Sequence, residues 1–285
     1  MLYLVFAVIC SVLVSVLLKL ARRRQLDVAQ MVTWNYLVAA SLTALLLRPS
    51  LDSLTHGHAP WAALLALAVI LPTLFLVLGR AVAQAGIVRS DVAQRLSLLL
   101  SLAAAFLFFG EQAGPLRLAG LGVGLLAIVA ITARSSTAGT EQATGSWRWL
   151  LGVWVGFALV DILLKQVALS GTPSMAALLV CFSIAFVLML LLQLLRHLRG
   201  SNRLAWRNLA AGALLGLLNF GNILFYVRAH QHLADSPATV FAGMNIGVVV
   251  LGALVGVFVF GERTSVWNRL GLALAVLAIS LIALG

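Results

Sequence analysis

Hydropathy along the chain stays high for close to twenty residues at a time, then drops at a short polar or glycine-rich break, and it does so ten times. A helix of about twenty residues is what it takes to cross roughly 30 Å of hydrocarbon. Inside a bilayer the backbone has no water to bond to, so a spanning segment is a helix or part of a closed barrel. Barrel strands read as alternating segments of about ten residues, and these runs are longer and do not alternate. The expected spans are Leu2–Ala21, Ala29–Leu47, Trp61–Gly79, Asp91–Phe109, Leu116–Ala133, Trp147–Leu169, Ser174–Leu195, Leu209–Arg228, Pro237–Phe260 and Trp267–Leu284. Hydrophobic residues make up 62% of the chain and charged residues 9%, against roughly 25% charged in a soluble domain. The chain therefore reads as an all-α membrane protein.

The first apolar run has no basic segment before it and no small-residue cleavage site, so it is expected to be a retained helix. Cys10 and Cys181 both fall inside apolar runs and read as small packing residues. The longest polar stretch, residues 134–146, is rich in Ser, Thr and Gly and reads as a linker. It separates an expected first five-helix unit, residues 1–133, from a second, residues 147–285.

The net charge of +11 is distributed by side. With each Lys and Arg assigned to the nearer connection, alternate connections starting with the first hold fifteen of the 19, and the other four hold one each. Basic loops are retained in the cytoplasm. This predicts a multi-pass protein of a bacterial inner membrane with both termini outside. Anionic lipid explains the basic side without nucleic acid.

The two halves resemble each other. Phe109-Gly110-Glu111 recurs as Phe260-Gly261-Glu262, a shift of 151 residues. The same shift carries Gly120 onto Gly271, Ala127 onto Ala278 and Ile131 onto Ile282. Arg80-Ala81 returns as Arg228-Ala229 at a shift of 148. Five helices per copy is an odd number, so the second copy enters the membrane from the opposite side. The expected fold is ten transmembrane helices as a 5+5 inverted repeat around a central cavity, an architecture of secondary carriers.

On the paired Phe-Gly-Glu motifs and the entries Arg80-Ala81-Val82-Ala83-Gln84 and Arg228-Ala229-His230-Gln231-His232, the chain resembles the EamA-type carriers of the drug/metabolite transporter superfamily. The resemblance covers the whole chain in helix count and repeat. It implies a basket of helices around a cavity lined by helices 1, 3, 4, 6, 8 and 9, and export of amino acids and other metabolites. The family often carries proline in the middle of helices four and nine. Here Leu98–Ser101 and Val248–Leu251 have none. Characterised relatives mostly keep both termini in the cytoplasm, whereas the charge count here puts them outside.

Polar residues inside spans are the functional pointers, since a charge near a helix centre costs about 2.5–3.5 kcal/mol on insertion scales. Asp161 and Lys165 are four residues apart on helix six and share a face. They read either as a structural ion pair or as a substrate or proton site. Gln94 and Arg95 open helix four, and the 151 shift places Gln94 on Asn245 of helix nine. In an inverted repeat these two amides are expected at opposite depths, one for each gate. Arg95 would attract a carboxylate. Asn219, Asn222 and Tyr226 share a face of helix eight. Trp34-Asn35-Tyr36 reads as packing. Glycines four apart, such as Gly120/Gly124, Gly212/Gly216, Gly243/Gly247 and Gly252/Gly256, read as close helix contacts. Glu111 and Glu262 read as turn residues at the positive end of the helix that follows each.

Neither His56-x-His58 with Asp52 nor His230-x-His232 with Asp235 reaches a metal-ligand set, and no hydrolase or phosphate-loop motif is present. No catalytic residue and no cofactor is expected. The function implied is secondary transport of small amino-acid-like, zwitterionic or anionic solutes by alternating access. The partners are a small-molecule substrate and the lipid bilayer, with proton or ion coupling and a monomer or homodimer both left open. The competing readings are an exporter of drugs or lipophilic cations, an embedded enzyme and a membrane receptor.

Overall fold

The computed structural model describes residues 1–55, 59–109, 114–132, 146–202, 204–233 and 237–284. Every regular element among them is helical. In order they are α1 (Leu2–Arg23), α2 (Val28–Leu42), α3 (Asp52–Thr55), α4 (Trp61–Ala85), α5 (Ile87–Arg95), α6 (Leu98–Phe109), α7 (Pro115–Thr132), α8 (Ser146–Leu169), α9 (Ser174–Leu198), α10 (Trp206–His232), α11 (Pro237–Leu254) and α12 (Val266–Leu284). Thr43–Leu47 and Val255–Val259 continue α2 and α11 as π-helical turns.

Eight helices among the described residues are long and apolar enough to cross a bilayer. Ten were expected. The fourth expected span, Asp91–Phe109, is not one helix but two, α5 and α6, and it begins four residues earlier, at Ile87. The fifth is the shorter apolar helix α7. Leu107, Phe258 and Leu198 are each about four-fifths exposed. Large apolar side chains left outward in this way are what a lipid-facing surface requires.

The chain forms two compact units. The first comprises residues 1–19, 77–158 and 221–285. In it α7 packs along α12, and α5 packs against α11. The α7–α12 contact is reciprocal. Gly120 lies against Ile282 and the carbonyl of Ala278, and Gly271 lies against Ile131 and the carbonyl of Ala127. The two helices run antiparallel, and the 151-residue shift exchanges one contact for the other. Small residues at both crossings let the backbones approach.

The second unit comprises residues 20–76 and 159–220. Here α2 packs against α9. Fully buried Tyr36 sits against Phe75 and Phe182. Gly212 and Gly216 of α10 lie on the backbone of α2 at Met31 and Asn35. Asp27 caps α2 by accepting from the N–H groups of Ala29 and Gln30, and its other oxygen takes Arg196 at 3.0 Å. Gln30 bonds Asn202 and Asn208, joining the starts of α2 and α10 to the end of α9. Arg196, counted above only for its charge, is thus part of a specific cap.

Candidate functional site

Two polar ladders face each other in the first unit. Ser11, Ser15 and Lys19 are four residues apart on α1 and therefore share a face. Ile87, Asp91 and Arg95 repeat that spacing on α5. The helices run antiparallel, so the rungs meet in reverse order. Arg95 donates to the Ser11 hydroxyl at 2.8 Å, and Ser15 donates to Asp91 Oδ1 at 2.6 Å. At the third rung Lys19 pairs with Glu262 at 3.0 Å, and Glu262 accepts the N–H groups of Ile87 at 2.7 Å and Val88 at 3.2 Å.

Helix α11 closes the third side. Asn245 is buried, gives its amide N–H to the Phe241 carbonyl, and presents Oδ1 to Arg95 at 3.5 Å. Gly252 lies directly on the Asp91 carboxylate, and Gly256 lies on Val88 and Glu262. A side chain at residue 252 would occupy the space this carboxylate fills.

Asp91 is 2% exposed, and its Oδ2 has no hydrogen-bond partner among the described residues. The Ser15 contact is short for a hydrogen bond between two oxygens. Arg95, one helical turn away, and Glu262 are the charged groups that act on Asp91. An acid, a guanidinium and two serines held in an otherwise apolar bundle are costly to bury. Their concentration on one seam points to a function.

The seam ends at a break in the helix. Leu96 and Ser97 form a tight turn in which the Ser97 N–H bonds to Gln94 and the Leu99 N–H to Leu96. Proline is not needed for it. The Leu96 carbonyl accepts Trp154 Nε1 at 2.8 Å, and the Ser97 hydroxyl bonds the Gln94 carbonyl at 2.7 Å. Broken helices survive at membrane depth only when freed backbone groups find such partners.

Residues 1–133 match the EamA-like transporter family. The chain belongs to that family. It is thereby a multi-pass membrane transporter of the drug/metabolite type. A protein of Haemophilus influenzae described as uncharacterized is 39% identical over 283 residues, spanning 97% of this chain and 95% of its own. One solved crystal structure superposes with a TM-score of 0.57 over 99% of this chain and 96% of its own. At 17% identity that likeness concerns the fold alone.

In this EamA-like transporter, Arg95 and Asn245 come together as one contact. Asn245, expected to serve a gate of its own, thus lies against the helix that carries Gln94. Gln94 is half-buried beside Arg95. Asn222 and Tyr226 are half-buried in the first unit, and Tyr226 stacks edge-on against His230. Asn219 belongs to the second unit and donates to Asn35 at 3.3 Å, an interhelical amide pair. Asp161 is exposed and Lys165 half-buried, also in the second unit.

His230 bonds the Tyr226 carbonyl, and His232 stacks on Tyr3. His56, His58, Asp235 and Glu111 lie outside the described residues. Glu262 corrects its expectation in one respect. It does serve a helix N-terminus, but that of α5 rather than of the helix following it. Gly261, at φ +65°, turns the chain, and the Glu262 N–H bonds back to the Gly256 carbonyl. Asp91, Ser11, Ser15 and Lys19 were not singled out by the sequence reading.

Proposed function

We propose that this EamA-like transporter is a secondary carrier of small zwitterionic or anionic solutes, built as a 5+5 inverted repeat and working by alternating access. The observation that carries the reading is the half-buried guanidinium of Arg95, held by Ser11 and Asn245 and followed along the same seam by Asp91. A fixed cation inside an apolar bundle selects solutes with a carboxylate or another anionic group. Gln94, Asn222, Tyr226 and Asn245 orient the rest of the solute.

The inverted repeat is supported by three pairs of packed counterparts, α2 with α9, α5 with α11 and α7 with α12. Each pair unites the same helix of the two copies. Alternating access would then work by releasing Lys19 and α5 from Glu262 on one side while tightening the other.

The test is flux of a metabolite panel into proteoliposomes. Arg95→Gln is expected to lower flux of carboxylated solutes by roughly ten- to a hundredfold, the equivalent of losing a charged hydrogen bond of about 1.5–3 kcal/mol. No flux of any solute, or flux indifferent to Arg95, overturns the proposal. Asp91 favours a second reading, export of lipophilic cations. It predicts cation flux that Asp91→Asn abolishes and Arg95→Gln spares. The charge asymmetry of the loops proposes termini on the outer face, and a reporter after Gly285 tests it.

A further inference from the structure

Below the Lys19–Glu262 pair lies a polar cavity of about 310 Å³. Its charged lining is Lys19, Arg89, Arg263 and Glu262. Three cations face one carboxylate, so positive charge remains after Lys19 and Glu262 are paired. Arg89 is anchored through Nε on the Ile131 carbonyl at 3.1 Å, which holds its guanidinium in place. Arg263 is exposed at the mouth.

Asn268 gives the second, independent observation. It lines the same cavity, is 4% exposed, and its Oδ1 has no hydrogen-bond partner among the described residues. An amide oxygen buried without a donor has given up its hydrogen bonds to water with nothing in return unless a ligand supplies one. The residue is held in this position by its own N–H, which bonds the Ser265 hydroxyl at the start of α12. Cations alone would suit any anion. Cations beside an unmet acceptor suit an anion that carries an N–H donor a few atoms away.

We propose that this cavity is a binding site for a compact amino-anion, its negative group on Arg89 and Arg263 and its ammonium or amide N–H on Asn268 Oδ1. Two sources share this chemistry, a free aminocarboxylate solute and the headgroup of an aminophospholipid. The cavity opens at the connections that carry most of the basic residues. If the ligand is a solute, this is where it waits before the Lys19–Glu262 pair parts. That loading role rests on the carrier reading, whereas the existence of the site does not.

The experiment uses the full chain, purified in detergent, and calorimetric titration with phosphoethanolamine, inorganic phosphate and alanine. Phosphoethanolamine is expected to bind saturably and more tightly than inorganic phosphate. Asn268→Leu should erase that preference, and Arg263→Gln should weaken both ligands by about tenfold, the loss of one charged contact. Arg263 is exposed, so its variant reports even if Asn268→Leu fails to fold.

Saturable alanine binding that is sensitive to Arg263→Gln marks a solute site. Stabilisation in phosphatidylethanolamine nanodiscs over phosphatidylglycerol ones, with no response to alanine, marks a headgroup site. Absence of saturable binding to all three ligands, or a preference that Asn268→Leu leaves intact, overturns the proposal. Flux that persists when binding fails would discard this site and leave the carrier reading standing.

Discussion

Asp91 shows what a single carboxylate demands of its surroundings. One oxygen takes the Ser15 hydroxyl, and the other lies on the bare backbone of Gly252. Ser15→Ala removes a donor from a buried acid and should destabilise the protein by about 1–3 kcal/mol. Thermal unfolding of the purified chain checks it, and Ser15→Thr, which restores a hydroxyl, should recover part of the loss. Gly252→Ala places a methyl where the carboxylate sits, and overpacking of this kind costs about 1–3 kcal/mol. An unchanged unfolding temperature would mean that the acid has another place to go. At this scale the sequence was only partly legible. Arg95 and Asn245 stood out as polar residues in apolar runs, but their contact depends on how α5 lies against α11 and was not expected. Asp91 was passed over because it sat at the expected edge of a span. The signal that could have found it was the Ser11, Ser15, Lys19 spacing, a polar stripe on a helix otherwise fit to face lipid.

Single helices carry information that hydropathy averages away. The fourth span was expected as one helix because its apolar window is continuous and holds no proline. It breaks at Leu96 and Ser97 because a serine and the Trp154 indole take the freed carbonyls. A window average does not register a tryptophan 58 residues away. Trp154→Phe keeps the ring and removes the donor, and should cost about 1 kcal/mol in unfolding free energy. Glu262 makes the same point about helix ends. The Phe-Gly-Glu motif was legible as a turn, and a glutamate near a helix N-terminus was the right physics. Which helix it serves depends on how α11 lies against α5, and no local pattern encodes that. Glu262→Gln removes the charge facing both Lys19 and the α5 N-terminus. A loss of about 1–2 kcal/mol is expected, the upper range for a partly buried charge at a helix end. Thermal melts at low and high salt would check it, since a shielded pair should show little salt dependence.

Across the whole chain, the membrane class, the all-helical build and the family were readable from composition and motifs. So was the internal similarity, because a shift of 151 residues survives in Phe-Gly-Glu and in the glycines of α7 and α12. Those glycines then meet each other's helices. Gly120→Ala and Gly271→Ala each drive a methyl toward an isoleucine and a backbone carbonyl of the facing helix. The expected losses are about 1–3 kcal/mol and nearly equal, and unequal penalties would argue against equivalent crossings. Because α7 and α12 touch through two versions of one contact, the two stretches of sequence are not free to drift apart at these positions. A bulkier residue accepted at either crossing would have to be matched by a smaller one on the opposite helix. Coordinated pairs of substitutions at 120 with 282, and at 271 with 131, are therefore the trace this packing should leave among descendants of the same ancestor.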